Sequence, residues 1–198
     1  MFTIGQVLER HKRVVFDTSI LDAGESPHGL RYRGEIRRAM KSDRLLTVKD
    51  VVYEAWTMLR HFRRDPLFER VQWHQRNLEA EQVTYVGFLE HLIKKAKEYE
   101  KTKSYAIINK KKDYPYTDVN VAALTMTLAH QFADVALVSS DRPLNELVLS
   151  ECNNPTLPKE VHPIAVYSFF QKTANYVPYA EEKTWHPKSF PFTSSRSP

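Results

Sequence analysis

Short apolar runs rich in β-branched residues recur along this chain, and two of them run straight into an aspartate. Arg13–Phe16 (RVVF) ends at Asp17-Thr18-Ser19. Ala133–Ser140 (ADVALVSS), the clearest strand in the chain, turns out through Asp141-Arg142-Pro143 into a short helix, LNELVL. Such runs suit strands buried on both faces. Leu45–Val48 and Pro163–Phe169 (PIAVYSF) are further strand candidates. Helical patterns lie between them. Residues 29–41 read as a basic helix. Thr47-x-x-Asp50 reads as a capping box, opening a helix with Val51, Val52, Ala55, Trp56, Leu59 and Phe62 at helical spacing. Pro66 allows a new helix start. Residues 67–103 are mostly helical by pattern, with Phe68, Val71, Leu78, Val86, Leu89 and Ile93 as the apolar stripe. Thr117 is placed to cap the next helix, in which Val121, Leu124, Leu128 and Phe132 share a face. This alternation predicts an α/β fold with a mainly parallel sheet flanked by helices.

The chain has 198 residues, 42% of them apolar, which suits a soluble domain with a core of its own. No apolar run approaches the roughly 18 residues that cross a bilayer, so no membrane association is expected. Glu9, Arg10, His11, Lys12 and Arg13 sit where a signal peptide would stay apolar. The single cysteine, Cys152, excludes an internal disulfide and any multi-cysteine metal site, and a cytoplasmic location is the expectation. The pattern stops near residue 172. Residues 151–198 hold 7 of the 11 prolines, so 173–198 read as a Pro- and aromatic-rich tail on a domain spanning 1–172.

In an open parallel sheet, ligands bind beyond the carboxyl ends of the strands. Asp17 and Asp141 both follow strands there. Asp118 lies in the first turn after Thr117, and Glu54 lies one turn beyond Asp50. Strand ends and the helix starts that follow them share one edge, so the four acids are candidates to converge. Each alone has an ordinary reading. An aspartate after a strand serves a turn, one in a first turn favours the helix dipole, and a helical glutamate is commonly exposed. Their joint placement points to chemistry. Two carboxylates about 4 Å apart repel by roughly 4 kcal/mol at an effective dielectric of about 20, so a cluster calls for cations or protons. Oxygen ligands select Mg²⁺ or Mn²⁺, and the matching reaction is phosphodiester hydrolysis. The eight histidines show no ligand spacing.

The net charge of +5 is unevenly spread. Residues 94–113 carry eight lysines and three acids, and abut a segment, 114–150, whose only Lys or Arg is Arg142. Basic surface beside an acidic site suggests a polyanionic partner. The plainer alternative is a solvated Lys-rich helix face.

VVFDTSIL, then VVYEAWTML, then TDVNVAALTMTLA followed by DVALVSSDRPLNEL, resembles a PIN domain. That family shows an Asp-Thr-Ser/Asn turn after its first strand and a Glu on an early helix. Later come an Asp opening an Ala-rich helix and a Ser/Thr-x-Asp closing the next strand. HPIAVYSF is similar to its closing strand, and the resemblance spans residues 12–172 in order. It implies a three-layer α/β/α sandwich, a Mg²⁺- or Mn²⁺-dependent ribonuclease activity and frequent homodimers. Carried over by motif, Asp17, Glu54, Asp118 and Asp141 are the catalytic, metal-binding acids. Thr18 and Ser19 brace the first turn, Ser139 or Ser140 orients Asp141, and Asp22 and Glu146 are nearby acids.

The chain departs from the compact toxin members of that family. A helical, Lys-rich insertion of about residues 65–112 separates Glu54 from Asp118, and it contains Trp73, His74, Tyr85, Tyr99 and Tyr105. Toxins of this type pair with an antitoxin, so a protein partner is an open expectation beside RNA. The candidate RNA-backbone contacts are Arg31, Arg33, Arg37, Arg38, Lys94, Lys95, Lys97, Lys101, Lys103, Lys110, Lys111 and Lys112. Two alternatives remain open: a catalytically weak RNA-binding or scaffold domain, and a structure-selective DNA nuclease of the flap-endonuclease type.

Overall fold

A computed structural model of the chain describes residues 3–22, 30–58, 82–102, 107–108, 116–170 and 179–183. Its centre is a sheet in the order β2-β1-β3-β4-β5. The strands are β1 (Arg13–Phe16), β2 (Leu45–Leu46), β3 (Val135–Ser139), β4 (Ile164–Phe170) and β5 (Tyr179–Lys183). β2, β1, β3 and β4 are all parallel, and β5 adds antiparallel to β4. Val14 lies between Leu45 and Ala136, and Ser139 pairs with Ser168. The helices are α1 (Ile4–Arg10), α2 (Thr18–Asp22), α3 (Leu30–Ala39), α4 (Lys49–Met58), α5 (Gln82–Thr102), α6 (Thr117–Gln131) and α7 (Arg142–Glu151). This is an α/β fold with four parallel strands flanked by helices, as the alternation predicts.

The strand order reverses beside β1. From β1 the chain steps outward to β2, and it later returns to place β3 on the other side of β1. Crossovers between parallel strands are right-handed, so outward steps in opposite directions put their helices on opposite faces. α1 packs on α3, while α6 packs on β1, β3, α5 and α7. The crevice that results between β1 and β3, at their carboxyl ends, is where open α/β sheets take ligands.

α6 shows why the core holds. From Val121 to Ala129 every residue is buried, so it is a central helix rather than an amphipathic one. Its buried Thr125 and Thr127 donate their hydroxyls to the carbonyls of Val121 and Ala123, at 2.8 and 2.7 Å. Each thus satisfies a polar group that water cannot reach. At the amino edge, His11 closes the sheet. Its Nδ1 lies 2.7 Å from Asp134 Oδ1 and its Nε2 lies 2.8 Å from the hydroxyl of fully buried Tyr167 on β4.

Several local expectations are corrected. β2 ends at Leu46 and α4 begins at Lys49, and between them the Thr47 hydroxyl donates to Phe16 O at 2.7 Å. Thr117 is the first residue of α6 and not its cap. Tyr116 holds the cap position and makes no side-chain cap bond. On α5, Val86 is 40% exposed, and the buried positions are Phe88, Leu92 and Ala96. The stripe therefore lies on a neighbouring face, still at helical spacing. α1 lies outside the elements expected from the pattern, and Thr3 and Gln6 form a full capping box at its start. Leu59, Phe62, Pro66 and the first part of the 65–112 segment, to residue 81, lie outside the described residues.

Candidate acid site at the carboxyl edge

Asp17 follows β1 and is only 4% exposed. Its Oδ2 accepts from the Ser19 amide at 3.3 Å and from the Ser139 hydroxyl at 3.1 Å. Ser139 closes β3, so this second bond spans the crevice where the strand order reverses. The Ser139 hydroxyl in turn accepts from the Asp141 amide at 2.9 Å. Ser140 takes part through its backbone, its amide donating to Ser19 Oγ at 3.0 Å. Ser139, and not the Ser140 side chain, therefore sets the turn that carries Asp141. Asp141 caps α7, its Oδ1 accepting from the Leu144 amide at 2.9 Å.

Glu54 is the second buried acid, at 6% exposure on α4. Its Oε2 accepts from the Thr18 hydroxyl at 2.8 Å and its Oε1 from the Thr117 hydroxyl at 3.0 Å. Thr18 is the chain neighbour of Asp17, and Thr117 is the chain neighbour of Asp118. One carboxylate thus draws together the two turns that carry two other acids. A continuous path runs from Asp141 through Ser139 to Asp17, then through Thr18, Glu54 and Thr117 to Asp118. Such charge-assisted bonds are about twice as strong as neutral ones and hold two buried carboxylates in place.

Hydroxyls link the turns that carry these carboxylates. Among the described residues, no group of three or more His, Cys, Asp or Glu side chains is placed to hold a metal ion. The donors are all oxygen, which suits a hard cation. Mg²⁺ commonly takes only one or two carboxylates and keeps several waters. The edge therefore fits a water-rich cation on one or two of these acids and does not fit an all-protein cage.

Three polar residues outside the sequence assignment adjoin the site. Asp50, one turn before Glu54 on α4, accepts from the Asn120 side-chain amide of α6 at 2.5 Å. The Asn120 carbonyl accepts from the Tyr85 hydroxyl of α5 at 2.8 Å. Burial pushes the Asp50 carboxyl above its ordinary value of 3.8, the Asn120 bond pulls it back, and the Glu54 charge pushes it further up. Burial, then the Asp50 charge, pushes the Tyr85 phenol up. The signal was available in the spacing. Asp50 and Glu54 are four apart, and Thr117 and Asn120 three apart, so each pair shares a helix face. On α7, buried Asn145 donates to Ser139 O at 3.1 Å, and its Oδ1 has no partner among the described residues.

The basic candidates divide. Lys94, Lys97 and Lys101 are exposed on α5, while Lys95 pairs with Glu98 at 3.0 Å. The end of α5 reaches α7, where Tyr99 bonds Glu146 and Arg142 Nε lies 2.5 Å from Glu146 Oε1. Glu146 is thereby committed to a helix contact one turn past Asp141. Arg37 and Arg38 are exposed at the end of α3. Arg38 lines a groove with Leu8, Ser42 and Arg44, residues that precede β1 and β2. That is the amino edge, away from the acids. The side chains of Arg31, Arg33 and Asp22, and Lys103, Lys110, Lys111 and Lys112, lie outside the described residues.

No helix among the described residues is long and apolar enough to cross a membrane. No protein-family model, curated protein or solved structure matches the chain.

Proposed function

We propose that this chain is a PIN-like, Mg²⁺- or Mn²⁺-dependent endoribonuclease. The observation that carries the reading is Glu54, whose two oxygens take the hydroxyls beside Asp17 and Asp118 while Ser139 links Asp17 to Asp141. An α/β domain without a reaction at this edge has little reason to bury two acids on hydroxyls at its topological switch point. A bound divalent cation supplies an activated water and neutralises charge on the phosphate. In this reading one or two of Asp17, Asp118 and Asp141 would hold it, with water completing its coordination. Glu54 keeps Thr18 and Thr117 together, and exposed lysines of α5 carry the RNA backbone. One competing reading is a binding or scaffold domain with weak catalysis, in which the hydroxyl links to Asp17 and Glu54 serve the fold alone.

The test is cleavage of labelled single-stranded RNAs and a DNA flap, with Mn²⁺, with Mg²⁺ and with EDTA. Metal-dependent RNA cleavage that disappears in both Asp17→Asn and Asp118→Asn is the expected result. RNA binding without cleavage, unchanged in both variants, establishes the scaffold reading instead. Preference for the flap moves the activity to DNA.

A further inference from the structure

The contacts between α4 and α6 form a two-rung ladder. On α4, Asp50 and Glu54 stand one turn apart; on α6, Thr117 and Asn120 do the same. Thr117 donates to Glu54 at 3.0 Å, and Asn120 donates to Asp50 at 2.5 Å. One rung alone holds the first turn of α6 at a single point. Two rungs a turn apart fix its rotation, because each residue of an α-helix is turned about 100° from the last. Asp118 lies between the rungs in sequence and leaves α6 on a face that this rotation sets. The ladder is also directional. The Tyr85 hydroxyl donates to the Asn120 carbonyl at 2.8 Å, which turns the Asn120 amide nitrogen toward Asp50.

We propose that Asp50, Asn120 and Tyr85 are positioning residues of the acid site, fixing the rotation of α6 and with it the direction of Asp118. The proposal rests on the ribonuclease reading for its consequence in catalysis, but not for its geometry. Asp50 acts as a hydrogen-bond acceptor, so an amide at that position serves and a methyl group does not. Tyr85 acts as a donor, so phenylalanine leaves the Asn120 amide free to turn over. Misplacement by about 1 Å costs up to roughly 100-fold in rate without loosening substrate.

The experiment compares wild type with Asp50→Ala, Asp50→Asn and Tyr85→Phe. Two readouts are used: steady-state RNA cleavage with Mn²⁺, and the side-chain carboxyl resonance of Asp118 in labelled protein without metal. The expected result for Asp50→Ala and Tyr85→Phe is a kcat lower by about 10- to 100-fold, with KM within about twofold. The Asp118 resonance moves in both. Asp50→Asn recovers kcat and the wild-type resonance. An Asp118 resonance that stays put in Tyr85→Phe and Asp50→Ala overturns the proposal, and so does one that moves equally in Asp50→Asn. Tyr85→Phe removes one hydroxyl and keeps the ring, so it decides the matter if Asp50→Ala does not fold. If wild type cleaves nothing, the ribonuclease reading fails, and the Asp118 resonance still decides the positioning role.

Discussion

Ser139 does more for this site than its size suggests. It is fully buried, donates to Asp17 and accepts from the Asp141 amide. Asn145 braces the same residue from α7 by bonding its carbonyl. Replacing Ser139 with alanine leaves a part-buried amide and a buried carboxylate each short of a partner. A loss of about 1–3 kcal/mol in stability is expected from urea denaturation. A change below about 0.5 kcal/mol, the ordinary scatter of surface substitutions, means that these two bonds do not hold the crevice. Asp50 makes a different prediction at the same scale. A raised carboxyl pKa means that the folded chain keeps a proton the unfolded chain has released. Its stabilising contribution is complete below the unfolded value of 3.8 and is lost as pH climbs through the folded value. Asp50→Asn cannot ionise, so its melting temperature is expected to gain on wild type as pH rises from about 3 to about 7. A difference that stays flat across that range contradicts burial as the dominant influence on Asp50.

At the scale of elements, the sequence carried the strands and most helices because their signals are local. β3 is a five-residue run of buried residues, and no helix competes for so short a segment between turn residues. α6 was legible as a helix but not as a central one, since its exposure depends on what covers it from both sides. The same limit explains the α5 stripe. Val86, Leu89 and Ile93 keep helical spacing, as do Phe88, Leu92 and Ala96, and only packing against α6 and α7 decides which row is buried. The acids were legible as four positions on one edge. Their connection was not, because Glu54 reaches Thr18 and Thr117 across 36 and 63 residues of chain. β5 lies in the segment read as a tail, and it pairs antiparallel with β4, the strand just before it in the chain. It covers the outer edge of β4 from Val166 to Phe170, which otherwise presents unpaired amides and carbonyls to other chains. Ending the chain at Phe170 is therefore expected to lower the melting temperature and cause concentration-dependent self-association by light scattering. A truncated protein that melts with wild type and stays monomeric denies β5 any part in the fold.

For the whole molecule, the useful quantity is where charge sits relative to the acid edge, not the sum of +5. Exposed Lys94, Lys97 and Lys101 lie on α5, whose last turns reach α7 near Asp141. Arg37 and Arg38 end α3 at the opposite edge of the sheet. α3 is ten residues long, which makes it about 15 Å from end to end. The Debye length at physiological salt is about 8 Å, so charges at one edge are largely screened from a phosphate held at the other. Replacing Lys94, Lys97 and Lys101 together with glutamine is expected to weaken single-stranded RNA across all sequences alike. It should also flatten the salt dependence of log K by about 0.7 for each lost contact, roughly 2 in all. Replacing Arg37 and Arg38 is expected to leave both affinity and slope near wild type. Fluorescence anisotropy over a salt series separates the two edges directly. If the arginine pair carries the slope and the lysine triple does not, RNA runs over the amino edge, and the four acids are not where its backbone lies.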